Sequence, residues 1–194
     1  MYVRRKDNKT YLYIREGKPY VSTVSLKETS VITVYLPDGT LLTNASIILN
    51  GTTCMTDTNG SVSLTGEKDK PVKFQILYNE NFTGEVETKF GVDANVSLIE
   101  MYLLTVTATG FRGSGDATVT TTIGSTKYTG SQLLYVKKGT SVTINITCGY
   151  YYYGSYVKVD GASTDKASYT FTMDKAHTIT FTNGTYYDPN SGGT

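Results

Sequence analysis

Residues that reverse a chain tightly recur along this sequence at intervals of about 8–12 positions, and the stretches between them alternate apolar with polar. The reversals are Pro37-Asp38-Gly39-Thr40, Asn50-Gly51, Asp57-Thr58-Asn59-Gly60, Asn79-Glu80-Asn81, Gly124-Ser125-Thr126, Lys138-Gly139 and Asp160-Gly161. Gly, Asn and Asp tolerate the positive φ that such turns require. Between them, residues 141–147 (SVTINIT) put Val142, Ile144 and Ile146 on one face, and 61–64 (SVSL) alternate strictly. No segment sustains a 3.6-residue period. The expectation is an all-β chain, with strands near 31–36, 45–50, 52–56, 61–64, 72–78, 82–90 and 92–102. A second series follows near 104–108, 117–123, 133–136, 141–147, 156–159, 168–173 and 177–181, with a glycine-rich loop at 110–115. A chain of 194 residues accommodates two small cores, each of roughly 70–85 residues.

The expected division is an N-terminal arm over 1–29, β-sandwiches over 30–102 and 103–185, and a flexible polar tail over 186–194. Within the arm, 10–15 (TYLYIR) and 19–24 (PYVSTV) alternate around Glu16-Gly17-Lys18, which predicts a hairpin. Its faces are Tyr11 and Tyr13 against Leu12 and Ile14, so neither face is clearly polar and the pair wants a partner surface.

Charge narrows the partners. The formal net charge is +1, which gives no basic field for bulk phosphate binding, so nucleic acid is not an expected partner. Residues 1–30 hold seven bases against three acids, or +4, and the remainder holds 11 against 14, or −3. The arm is therefore basic on a mildly acidic body. Its candidate docking residues are Arg4, Arg5, Lys6, Tyr11, Tyr13 and Arg15. The start (MYVRRKDNKTYLYIREG) has no apolar h-region; if native, it does not direct general secretion alone. No apolar run approaches the roughly 18–20 residues of a membrane helix, and no membrane insertion is expected. Cys54 and Cys148 fall in different expected domains, so neither a disulfide nor a metal site is expected of them. Eight Asn-x-Ser/Thr triplets, at Asn8, Asn44, Asn50, Asn59, Asn81, Asn95, Asn145 and Asn183, are read as chance in a chain rich in Asn and Thr.

Two resemblances to known families rest on particular residues. The segment Val34-Tyr35-Leu36-Pro37-Asp38-Gly39-Thr40, the step at Ala45-Ser46-Ile47, Thr56-Asp57-Thr58-Asn59-Gly60-Ser61-Val62 and Val72-Lys73-Phe74 together resemble the carboxypeptidase-regulatory-like (transthyretin-like) sandwich family. Residues 136–144 (VKKGTSVTI), Gly149-Tyr150, 157–161 (VKVDG), 169–173 (YTFTM) and 178–181 (TITF) resemble bacterial immunoglobulin-like, internalin-B-type repeat domains. Where that family commonly has Trp after the Gly-Tyr segment, this chain has Tyr156. The resemblances imply two tandem Greek-key β-sandwiches, non-catalytic, of kinds frequent on phage virions and bacterial surfaces.

The residues offer little for catalysis. His177 is the only histidine; it heads an expected strand, no nucleophile elbow precedes it, and it is read as structural. Glu85 and Glu87 alternate on one strand face and are read as solvated rather than as a glycosidase pair. Asp57-Thr58-Asn59-Gly60 resembles part of a calcium loop but lacks the bidentate Glu, so a turn is expected and no metal. An intramolecular isopeptide bond, found in related surface sandwiches, needs an early-strand lysine, and 31–36 has none. No enzyme activity and no cofactor is expected.

Tyrosine carries the functional signal. Of 17 tyrosines, five stand between Gly149 and Tyr156: Tyr150, Tyr151, Tyr152, Tyr153 and Tyr156. Exposed tyrosine gives rigid contact area with a hydroxyl at low entropic cost. These five are the candidate binding surface, with Tyr186 and Tyr187 as further members. The expected role is a phage structural or decoration protein on the virion exterior. Its arm would dock on capsid or tail proteins, its second domain would contact a host surface protein or glycan, and a homo-oligomer is compatible with that role. The alternatives are a bacterial surface adhesion module and a carbohydrate-binding accessory domain.

Overall fold

The computed structural model describes residues 2–6, 9–13, 24–108, 117–147, 152–153, 155–182 and 185–186, and the structural statements below concern these. They contain strands and turns and no helix. The chain divides into two compact units, Met1–Ile99 and Glu100–Thr194.

The first unit contains β1 (Tyr2–Lys6), β2 (Lys9–Tyr13), β3 (Val24–Ser25), β4 (Lys27–Tyr35), β5 (Ser46–Leu49), β6 (Thr52–Met55), β7 (Ser61–Glu67), β8 (Pro71–Tyr78), β9 (Phe82–Lys89) and β10 (Ala94–Ser97). One sheet has the order β10-β4-β7, with β10 parallel and β7 antiparallel to β4. Facing it runs the order β9-β8-β5-β6. Alternation decides what is buried: Ile32 and Val34 of β4, Val62 of β7 and Val96 of β10 meet Ile47 and Leu49 of β5 and Phe74 and Ile76 of β8 in one apolar core.

Reversal chemistry fixes the registers here. Asn50 and Gly51 both adopt positive φ, 48° and 81°, which makes the two-residue hairpin between β5 and β6. Asn50 also extends the β5–β8 ladder with its side chain. Its Oδ1 accepts the Gln75 N–H at 2.7 Å and its Nδ2 donates to the Lys73 carbonyl at 3.3 Å. At the next turn, the Asp57 carboxylate accepts N–H groups of Asn59 and Ser61 at 2.8 and 2.9 Å. The acid that resembles a calcium ligand is thus occupied in holding its own turn.

Gly66 stands where no side chain fits. A Cβ there would lie 2.3 Å from the ring of Phe90, which stacks edge-on against Phe74 with ring centres 6.1 Å apart.

The second unit contains β11 (Ile99–Val106, crossing in from the first), β12 (Thr118–Ile123), β13 (Thr126–Thr129), β14 (Gln132–Lys137), β15 (Ser141–Thr147), β16 (Tyr152–Tyr153), β17 (Val157–Val159), β18 (Ala162–Ser163), β19 (Ser168–Thr172), β20 (His177–Phe181) and β21 (Thr185–Tyr186). One sheet is ordered β13-β12-β15-β19. In the other, β11 has β14 antiparallel on one side and β20 parallel on the other, followed by β17 and β18. Leu104, Val106, Val119, Val136, Val142, Ile144, Ile146, Val157, Met173 and Ile179 fill the core between the two sheets. Thr121 is fully buried among them, and its hydroxyl has no hydrogen-bond partner.

The outer face of β13-β12-β15-β19 is almost wholly hydroxyl and amide. Thr120, Thr122, Thr143, Asn145, Thr170 and Thr172 lie on it, Thr143 bonds Thr170 at 2.8 Å, and Lys127 is its one charged member among the described residues.

Several expectations need correction. In the arm, β2 pairs with β1 as well as with β3; the Thr10↔Val24 pair lies in the register of the hairpin expected between 10–15 and 19–24, most of which falls outside the described residues, and the pairing with β1 is an addition to it. Asp7-Asn8, a pair suited to a two-residue reversal, separates β1 from β2, whereas the expected turn at 16–18 lies outside the described residues. The strand expected at 31–36 begins at Lys27, so it does carry a lysine, which is exposed. Ladder pairing with β7 extends back to Lys27↔Glu67 and accounts for the added length. Thr185–Tyr186 form β21, so pairing reaches into the expected tail.

Removing the orphaned hydroxyl with Thr121→Val is expected to raise unfolding free energy by about 1 kcal/mol. Gly66→Ala, which forces the Phe90 ring aside, is expected to lower it by about 1–3 kcal/mol. Urea unfolding followed by circular dichroism measures both.

Candidate binding surface

Of the tyrosine segment, Tyr152–Tyr153 form a two-stranded ribbon with Thr185–Tyr186, and Tyr156 adjoins the second core. At that core, β17 pairs antiparallel with β20 through Val157↔Phe181, Lys158↔Thr180 and Val159↔Ile179. Val157 and Ile179 are fully buried, which pins this ladder to the core. One step out, the Tyr156 N–H donates to Thr182 Oγ1 at 2.7 Å, and the Thr182 N–H donates back to the Tyr156 carbonyl at 2.9 Å. Further out, β16 pairs with β21 through Tyr153↔Thr185 and Tyr152↔Tyr186.

From Val157↔Phe181 to Tyr153↔Thr185 each chain advances four residues, so the two ladders share one register. Tyr152 and Tyr186 are directly opposite. Ser155 is buried, as Val157 is. Tyr150, Tyr151 and Tyr187 lie outside the described residues.

A charged clamp sits beside the β17–β20 ladder. Asp160 and Gly161 make the turn between β17 and β18, with Asp160 at φ 51°. The Asp160 carboxylate accepts the Thr178 N–H at 2.9 Å, pairs with Lys175 Nζ at 3.2 Å and lies 2.9 Å from His177 Nδ1. On the ring's other side, His177 Nε2 lies 2.9 Å from Asp174 Oδ1. The imidazole is nearly buried and meets Phe171 edge-on at 4.9 Å. His177 thus ties the β17–β18 turn to the β19–β20 loop. Both of its described ring partners are carboxylates rather than a hydroxyl or thiol nucleophile. The Asp160 carboxyl lies below the usual carboxylate range because the Thr178 N–H stabilises its charge, with Lys175 and His177 adding to the effect.

Glu85 and Glu87 share one lysine on the outer face of β8–β9. Lys73 pairs with Glu85 and stands 3.6 Å from Glu87. Lys73, with Gln75 behind it, holds the Glu85 carboxyl below its ordinary value. A shallow depression of about 530 Å3 runs along this face past Pro71, Lys73, Glu87 and Lys89. Among the described residues, no three His, Cys, Asp or Glu side chains gather in a way that could hold a metal ion.

The docking residues fall into a sheet of their own, ordered β1-β2-β3. Its register sets Arg4 opposite Tyr11, Tyr2 opposite Tyr13, Arg5 opposite Thr10 and Lys6 opposite Lys9. Arg15 lies outside the described residues.

No family model matches the chain, and no curated protein matches it.

Sequence reasoning found the tyrosines but not their partner strand, and it missed the clamp. The signals were present in Asp174 three residues before His177 and in the Asp160-Gly161 reversal. Asp160→Asn is expected to test the clamp. A carboxyl held below its usual range contributes stability above the ordinary carboxylate pKa and loses it as pH falls through the lowered value. The variant should therefore be less stable than the parent at pH 7, and the gap should narrow on acidification from the ordinary carboxylate pKa downwards. Urea titrations at pH 7 and at decreasing pH measure the gap.

Proposed function

We propose that this chain is a non-enzymatic binding protein of a phage virion, a structural or decoration component with an outward-facing contact surface. In this reading a transthyretin-like Greek-key sandwich over 30–102 is followed by an immunoglobulin-like one over 103–185. The arm over 1–29 docks on capsid or tail proteins, and Tyr150, Tyr151, Tyr152, Tyr153 and Tyr156 meet a host surface protein or glycan.

The supporting observation is the ribbon. The β17–β20 ladder, from buried Val157 and Ile179, and the β16–β21 ladder, where Tyr152 lies opposite Tyr186, are in the same register, which supports a strand-borne rather than loop-borne tyrosine segment. Rigid aromatic groups lose little entropy when a partner covers them. The arm adds a second, chemically different segment, where basic and aromatic residues are cross-strand partners, as Arg4 and Tyr11 are. Arginine and tyrosine are enriched where protein interfaces are strongest.

Deleting residues 1–26, which stops short of β4, is expected to abolish incorporation into particles while leaving the remaining β core folded by circular dichroism. Normal incorporation of the truncated chain would refute the docking role. A glycan array then separates the contact classes: binding that is lost in Tyr152→Ala assigns a glycan to the tyrosine ribbon, and a blank array leaves protein as the contact.

A further inference from the structure

We propose that the chain forms a two-fold symmetric dimer by antiparallel pairing of β14 with β14 of a second copy. Among the described residues β14 is hydrogen-bonded on one side only, to β11. The Lys138 N–H donates to the Glu100 carbonyl at 2.8 Å, and the Thr107 N–H donates on β11's other side to the Ile179 carbonyl at 2.9 Å. These bonds fix the alternation. Even-numbered residues of β14 direct their backbone groups at β11, and Leu133, Tyr135 and Lys137 direct theirs away from it. An edge of this kind is a template for another strand.

Protection of this edge is confined to its end: residues 132–136 (QLLYV) contain no proline and no charge, and the strand's one charge is Lys137. Leu133 is 67% and Tyr135 63% exposed, the largest values among the exposed large hydrophobic residues. They adjoin half-buried Leu103 across the ladder on β11. Of the other described edges of this unit, β13 carries Lys127, β18 has two residues, and β19, though uncharged, packs its Tyr169 and Phe171 against the core.

The occupant follows from the strand's self-complementarity. In an antiparallel pair, residues directly opposite share a face, and outward backbone groups must meet outward ones. Centring the two-fold on Leu134 satisfies both conditions. Leu133 then lies opposite the second copy's Tyr135, and Tyr135 opposite its Leu133, with their N–H and C=O groups exchanging bonds. Ser131 lies opposite Lys137, so no like charges oppose each other. The four exposed apolar side chains join into one patch. An isologous pairing of this kind closes on itself, so assembly through it stops at two copies.

Sedimentation equilibrium of the full chain over a range of concentrations tests the proposal. The expected result is a mass of twice 21.2 kDa at the upper concentrations. The double variant Leu133→Lys with Tyr135→Lys changes only exposed positions. It should return the mass to that of one copy while leaving the melting temperature of a dilute, monomeric sample unchanged. Register is read separately: Ser131→Cys with Lys137→Cys, in a background of Cys54→Ala and Cys148→Ala, should oxidise to a covalent dimer, since paired strand positions lie within disulfide reach. A chain that stays monomeric throughout, assembly beyond two copies, a double variant that still dimerises, or an oxidised sample with no covalent dimer would each overturn it.

Discussion

Strand register is the constraint on which the rest of this structure depends. A slip of one residue in any ladder would turn its apolar set outward, because side chains alternate with a period of two. The chain secures register at its reversals. Asn50 is the clearest case, supplying a left-handed turn position and two side-chain hydrogen bonds that extend the neighbouring ladder. Asp57 does similar work with one carboxylate oxygen. The two cores follow from these local decisions: once the turns are set, Ile32, Ile76, Ile144 and Ile179 have only one side on which to be buried.

Much of this was legible in the residues. Turn signals located the hairpins at Asn50-Gly51 and Asp160-Gly161, and alternation located the buried face of β15. These features are local, so a short window contains all the information. The misreadings concern partners distant in sequence or segments whose pattern is ambiguous. β1 reads as a basic stretch, and only its pairing with β2 makes it a strand. β21 is two residues long, too short to show a period, and exists because Tyr152–Tyr153 lies across from it.

The same limit applied to the binding surface. A run of tyrosines is visible in any reading of the sequence, but the support beneath it is not. Asp160, Asp174, Lys175 and His177 become one cluster only when a turn and a loop from different hairpins are brought together. The clamp gives the lone histidine a role in packing and orientation. It also stands beside the strand pair that carries Tyr156, so the fixed part of the unit and its exposed aromatic part share a root. Edge strand β14 was hidden for a related reason: its alternation marks a strand, but whether a neighbour covers its second side is a property of the sheet.

The hydroxyl-rich sheet surface of the second unit bears on how the molecule stays dispersed. A formal charge of +1 provides almost no mutual repulsion between copies. Threonine and asparagine on β12, β15 and β19 bind water without ionising. Their hydration therefore changes little with acidity or ionic strength, conditions that would discharge or screen a carboxylate- or lysine-coated exterior. On that face, water held by neutral groups, rather than charge, is what separates the protein from its surroundings.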